Sequence, residues 1–117
     1  MNTIETVAVY CGSNTGRGEG YLRAAGALGS VLARRGLRIV YGGTHKGLMG
    51  ALADAALAEG GYVGGVITER LKAKGHTHPN LSSVETLPTM QARKQRMIAL
   101  ADAFIALPGG IGTLEQA

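Results

Sequence analysis

The sequence is poor in the residues that staple or anchor a fold: one cysteine, no tryptophan, one phenylalanine and three prolines in 117 residues. A lone Cys11 can form neither an internal disulfide nor a cysteine-based zinc site, and it fits a reducing, cytoplasmic setting. The opening "MNTIETVAVYCG" lacks a basic segment followed by a long apolar stretch, so it does not read as a signal peptide. No apolar run approaches the ~18 residues of a membrane span, so no membrane partner is expected. Charge is also thin. Twelve basic and eight acidic residues leave a net +4, which suits a phosphate-bearing ligand but is too small and dispersed for nucleic acid. The densest cluster, "ERLKAKGHTH", reads as a solvated loop face.

Glycine is plentiful, at 19 residues. Glycines beside short apolar runs predict repeated tight strand-to-helix turns within one domain spanning residues 1–117. The runs alternate. "TVAVY" reads as a first strand, followed by a helix from about Glu19 to Arg35 with Leu22, Ala25, Leu28 and Leu32 on one face and Gly36 closing it. "LRIVY" is a second strand, and a helix after Gly47 carries Leu48, Met49, Leu52, Ala56 and Leu57. "YVGGVI" is a third strand, weakened by its glycines. A polar loop leads to a fourth strand, "SVETL". Thr89 then caps a helix with Met90, Arg93, Met97 and Leu100 on one face, and "AFIAL" is the fifth strand. Strands without polar alternation, separated by helices, predict an α/β fold with a doubly wound, Rossmann-like parallel sheet and a default strand order of 3-2-1-4-5. The few residues after Gly112 are too short for a stable helix, so the chain reads as the N-terminal portion of a longer domain, or as one whose edge a partner covers.

Ligands of such sheets bind beyond the carboxyl ends of the strands. Four loops are predicted there: "CGSNTG", "YGGTHKG", "PTMQARK" and "PGGIGT". Three are rich in glycine, which lets backbone N–H groups approach an anion, and the third-named carries Arg93 and Lys94. The dinucleotide fingerprint fails on spacing, and Tyr41-Gly42 replaces the acidic residue that would hold a ribose of NAD. The Walker pattern fails too, because Leu48-Met49 stand where Lys-Ser/Thr belong. A smaller ligand such as a mononucleotide is left. Ser13 is placed to donate to its phosphate. Arg93 lies on an inward stripe and needs a partner, either a nearby acid or a ligand anion.

The blocks "VYCGSNTG", "VYGGTHKGLMG", "MQARKQRM" and "ALPGGIGTLEQ" resemble, in order and spacing, those of the LOG (Lonely Guy) family. Its members are cytokinin riboside 5'-monophosphate phosphoribohydrolases, long mislabelled as lysine decarboxylases. The resemblance implies hydrolysis of the N-glycosidic bond of an adenosine-type 5'-monophosphate, with no cofactor or metal and commonly in a homodimer. By motif, Arg93 matches the catalytic arginine, with Lys94 beside it in the nucleotide site. Gly109, Gly110, Ile111, Gly112, Thr113, Leu114 and Glu115 fall in the loop for phosphate and ribose. Gly12, Ser13, Gly42, Gly43, Gly47 and Met49 complete the expected substrate-binding set. The motif's terminal glutamate falls on Gln116, an amide that carries no charge and is no base. Losing such a carboxylate typically costs roughly 10²–10⁴-fold in rate.

That departure sustains an alternative: a nucleotide- or molybdenum-cofactor-binding protein without turnover. Lysine decarboxylation would need pyridoxal phosphate on a Schiff-base lysine, and Lys46 and Lys94 are better placed for phosphate. His76 and His78 suggest a metal pair but lack a third ligand nearby in sequence. His45 reads equally well as a ligand contact or an exposed loop residue, and Cys11 as a small buried thiol.

Overall fold

Alternating apolar runs become five parallel strands in the computed structural model, which describes residues 4–11 and 19–107. In chain order the elements are β1 (Thr6–Cys11), α1 (Glu19–Arg34), β2 (Arg38–Tyr41), α2 (Gly47–Ala58), β3 (Val63–Thr68), α3 (Glu69–Ala73), β4 (Ser83–Leu87), α4 (Met90–Leu100) and β5 (Ala103–Leu107). Strands and long helices fall where the apolar periodicity puts them. Gly36 ends α1 with φ of 76°, and the N–H groups of Gly36 and Leu37 return to the carbonyls of Ala33 and Leu32. That double return is the left-handed glycine cap expected of a helix C-terminus.

One face of the sheet buries the core. Val7, Val9, Ile39, Tyr41 and Val63 meet Ala25 and Leu32 of α1 and Leu48, Leu52, Ala53 and Ala56 of α2. The helices approach so closely that a Cβ at Gly29 would overlap the Leu52 carbonyl, so this position admits no larger residue without separating them. Side chains alternate along a strand. Tyr41 therefore points into the α1/α2 layer while Gly42 points at Arg93 of α4. Helix α4 covers the opposite face, touching β1, β2, β3 and β4, and buries none of its own residues.

The strand order is β4-β3-β2-β1-β5, which corrects the expected 3-2-1-4-5. Two local causes place β4 beside β3. The connection contains only the five-residue α3, capped by the Thr68 hydroxyl, within a stretch expected to be loop throughout. In addition, Ser82 exchanges two hydrogen bonds with Val63, and the Ser83 hydroxyl lies 2.6 Å from the Tyr62 hydroxyl. Helix α4 then carries the chain back across the sheet to lay β5 against β1. The order thus reverses between β1 and β5. Strand β3 forms over Val63–Thr68 with all six residues buried, and Leu81 and Gly43 fill the space beside Gly65. Burial on both faces holds throughout β3, for residues 39–41 of β2 and for residues 7–9 of β1, but Tyr10 is exposed and β4 and β5 are partly exposed.

The β1–β5 pairing is clamped at its start. The Asp102 carboxylate accepts the N–H groups of Glu5 at 2.9 Å and Thr6 at 3.0 Å, and its own N–H donates to the Thr6 carbonyl. These two bonds hold the Asp102 carboxyl below its ordinary value of 3.8. A carboxyl depressed in the folded state stabilises the fold above its unfolded value, and that contribution disappears as pH falls through the lower folded value. Asp102→Asn should therefore lessen the loss of stability on acidification below pH 3.8. Urea melts of the two proteins across that range check it, and parallel curves would deny the clamp its role.

Candidate functional site

The parallel sheet brings every strand's carboxyl end to one rim. Of the four loops expected there, the one after β2 and the start of α4 lie among the described residues. The β2–α2 turn is built from Tyr41 outward. The buried Tyr41 hydroxyl donates to the Thr44 carbonyl at 2.7 Å, and burial, with the Asp54 charge second, pushes its pKa well above the ordinary phenol value. The Thr44 hydroxyl accepts the Lys46 N–H at 3.1 Å. Lys46 stands at the N-cap of α2 in extended conformation without a side-chain cap, and the Gly50 N–H returns to its carbonyl. The N–H groups of Gly47, Leu48 and Met49 thus precede the first intrahelical bond and face the rim at the positive end of α2. The Met49 side chain packs in the core, so only its main chain is available to a ligand.

Helix α4 starts at the same rim. The Thr89 hydroxyl accepts the Ala92 N–H at 3.1 Å, which fixes the first turn and projects Arg93 inward. Arg93 Nε donates to the Val66 carbonyl at 2.7 Å, Nη1 lies 3.6 Å from Met90 Sδ, and Nη2 rests against Gly42. Among the described residues no carboxylate pairs with it, whereas Arg34 and Arg96 have Glu59 and Glu85. Burial pulls the Arg93 guanidinium below its ordinary value. Arginine nevertheless stays charged in proteins, so a half-buried cation faces the rim unneutralised. Lys94 beside it is exposed.

The structure thus joins Gly42, Gly43, Gly47 and Arg93 through two adjacent turns. Gly12, Ser13 and residues 109–116 lie outside the described residues. They follow Cys11 and Leu107, which are partners in the β1–β5 register. The histidines separate: His78 Nε2 lies 2.6 Å from Asp54 Oδ1, and the His76 ring meets the exposed His45 ring edge-on. Among the described residues, no three His, Cys, Asp or Glu side chains gather as metal ligands. Sequence reasoning missed the support behind the glycine turn. An isolated antiparallel bridge joins Thr44 to Thr77, and nothing in the local pattern pairs these distant segments.

Residues 49–117 match a family model described as possible lysine decarboxylase. A cytokinin riboside 5'-monophosphate phosphoribohydrolase of Rhodococcoides fascians is 48% identical over 115 residues, which cover 97% of this chain and 58% of that protein. The rice phosphoribohydrolase LOG is 46% identical over 110 residues, covering 94% of this chain and 46% of its own. The chain belongs to the LOG family. It spans about half the length of these curated relatives. Among solved structures, a molybdenum cofactor binding protein of Rippkaea orientalis matches with a TM-score of 0.77 at 21% identity, over 96% of this chain and 67% of that one. The Moco carrier protein of Chlamydomonas reinhardtii gives 0.75 at 21% identity, over 95% and 66%. At such identity the likeness shows the fold alone.

Gly42 sets the position of Arg93 in this LOG-family chain. An added Cβ would collide with Nη2, the free end of a flexible side chain that can swing away. Gly42→Ala should therefore barely change the melting temperature yet lower affinity for a nucleoside monophosphate about tenfold, the scale of one lost charged hydrogen bond. Calorimetric titration of both proteins checks this. Equal affinities would show that the Gly42–Arg93 contact does not shape the site.

Proposed function

We propose that the chain hydrolyses the N-glycosidic bond of adenosine-type 5'-monophosphates, prenylated or plain, releasing the free base and ribose 5-phosphate. The observation that carries this reading is the Arg93 guanidinium, which pairs with no acid among the described residues and is held against Gly42 beside the N–H groups at the start of α2. An unneutralised, partly desolvated cation next to a helix N-terminus favours an anionic ligand over water. The names of the relatives supply the chemistry: phosphoribohydrolases acting on a cytokinin riboside monophosphate. The same reading takes the protein to be a cytoplasmic homodimer that uses no cofactor, metal, nucleic acid or membrane.

In this mechanism Arg93 and Lys94 orient the substrate while the Gly109–Thr113 loop holds phosphate and ribose. As the base departs, positive charge builds on the ribose carbon and water attacks the opposite side. A carboxylate beside that carbon would stabilise the charge and deprotonate the water. Gln116 can hydrogen-bond a ribose hydroxyl but does neither. Glu115 occupies the position before the one where the motif has its glutamate. Turnover is therefore slow.

Incubation with AMP or isopentenyladenosine monophosphate, followed by chromatography of the released base, tests the reading. Slow release is expected from the wild type. Gln116→Glu should raise the rate at least about tenfold, and Arg93→Ala should abolish it. No gain from Gln116→Glu would remove position 116 from the reaction. The amide at Gln116 also favours a second reading, nucleotide binding without turnover, which AMP binding with no base release over hours would select.

A further inference from the structure

The segment after α3 lies along the outer side of the glycine turn. His45 N–H donates to the His76 carbonyl at 3.0 Å, His78 N–H donates to the Gly43 carbonyl at 2.7 Å, and Thr44 bridges Thr77 between them. Both ends of this short ladder use main-chain groups of the turn itself. The position of Gly42, and of the Arg93 guanidinium resting on it, therefore follows the position of residues 76–78. Among the described residues, a side chain of that strap is tethered to a regular element at His78. His78 is buried, with 4% of its surface exposed, and its Nε2 lies 2.6 Å from Asp54 Oδ1 on the third turn of α2. Its Nδ1 accepts the Asn80 N–H at 3.0 Å. Because Nδ1 is occupied as an acceptor, the ring proton of neutral His78 sits on Nε2 and donates to the carboxylate.

We infer that Asp54 and His78 are positioning residues, forming a latch that ties the 76–78 strap to α2 and so fixes the Gly42–His45 turn against Arg93. The inference rests on the nucleotide site proposed above. Asp54 touches no part of that site. It lies on the outer surface of α2, and its side chain is 69% exposed. Its contribution passes through His78, the strap and the turn. Removing the carboxylate strands a buried N–H, and the cheapest relief is for the strap to move outward to water, with the turn following. Tyr41 anchors the turn from beneath through Thr44, so the turn shifts without unfolding.

The variants are Asp54→Ala and Asp54→Asn in the full chain. Position 54 is exposed and helical, where alanine favours folding, so a stable protein is expected from each variant. Two measurements separate the latch from the proposed function. Hydrogen exchange of the His45 and His78 amides reads the strap without any nucleotide. Asp54→Ala should speed both by at least about tenfold, while Asp54→Asn, whose amide oxygen still accepts from Nε2, should restore wild-type exchange. Calorimetry with AMP should show the same order, with affinity about tenfold lower in Asp54→Ala and recovered in Asp54→Asn at equal melting temperatures. Unchanged exchange in Asp54→Ala would overturn the latch. Faster exchange with undiminished AMP affinity would overturn its positioning role. A wild-type chain that binds no AMP while the exchange results hold would count against the nucleotide reading and leave the latch standing.

Discussion

A guanidinium that meets no acid among the described residues holds the site together. Arg93 is carried beneath the rim by the capped first turn of α4 and is tied to the sheet through one main-chain carbonyl, that of Val66. A neutral acceptor orients the group without cancelling its charge, which remains a source of attraction for an anion. Partial desolvation is unfavourable for the cation, as its lowered pKa records. The opposite face of the sheet supplies the compensating stability through the apolar layer of β1, β2 and β3 against α1 and α2. The α4 face, which buries none of that helix's residues, is free to carry charge instead.

The strand order explains why such a contact forms at all. With β4 at one edge, the chain must return over the sheet to reach β1, and α4 is that return. Crossing β2 and β3 brings its first turn over the end of β3 and the turn after β2, where Val66 and Gly42 lie. A sheet ordered 3-2-1-4-5 would instead have led α4 from β4 outward to β5, away from β2 and Gly42. The serine contacts that seat β4 on β3 thus help decide where the guanidinium points.

Most of this fold was legible in the sequence because the information was local. Apolar periodicity gave both "SVETL" and "AFIAL" their observed limits, Gly36 closed α1, and Thr89 capped α4. Arg93 was also legible as inward-facing, since its helical stripe is a one-dimensional pattern. What escaped depends on pairings between distant residues: β4 on β3 rather than β1, His78 on Asp54, and Thr77 on Thr44. Parallel pairing leaves no turn signature, and a histidine beside a loop carries no mark of the helix it reaches. The choice between an acid and a ligand anion for Arg93 likewise needed three dimensions, because Glu85 stood within sequence reach but pairs with Arg96.

The binding and reacting parts of the proposed site come from different segments. The proposed anion seat is made of Arg93, Gly42 and the first turn of α2, all among the described residues. That seat is electrostatic and set by the fold, so its quality depends on how firmly the β2–α2 turn is held. Bond cleavage instead requires charge beside the ribose carbon, and the proposed mechanism gives that task to position 116, where the chain has Gln116. An amide for a carboxylate leaves size and hydrogen bonding nearly unchanged while removing the charge and the base. Under the proposed function, substrate affinity and turnover are separable: a substitution at position 116 would act on the barrier, whereas one at Gly42 would act on occupancy. A protein that retains the seat but lacks the carboxylate holds a nucleotide well and cleaves it poorly, which is why the two readings differ at one side chain rather than in their folds.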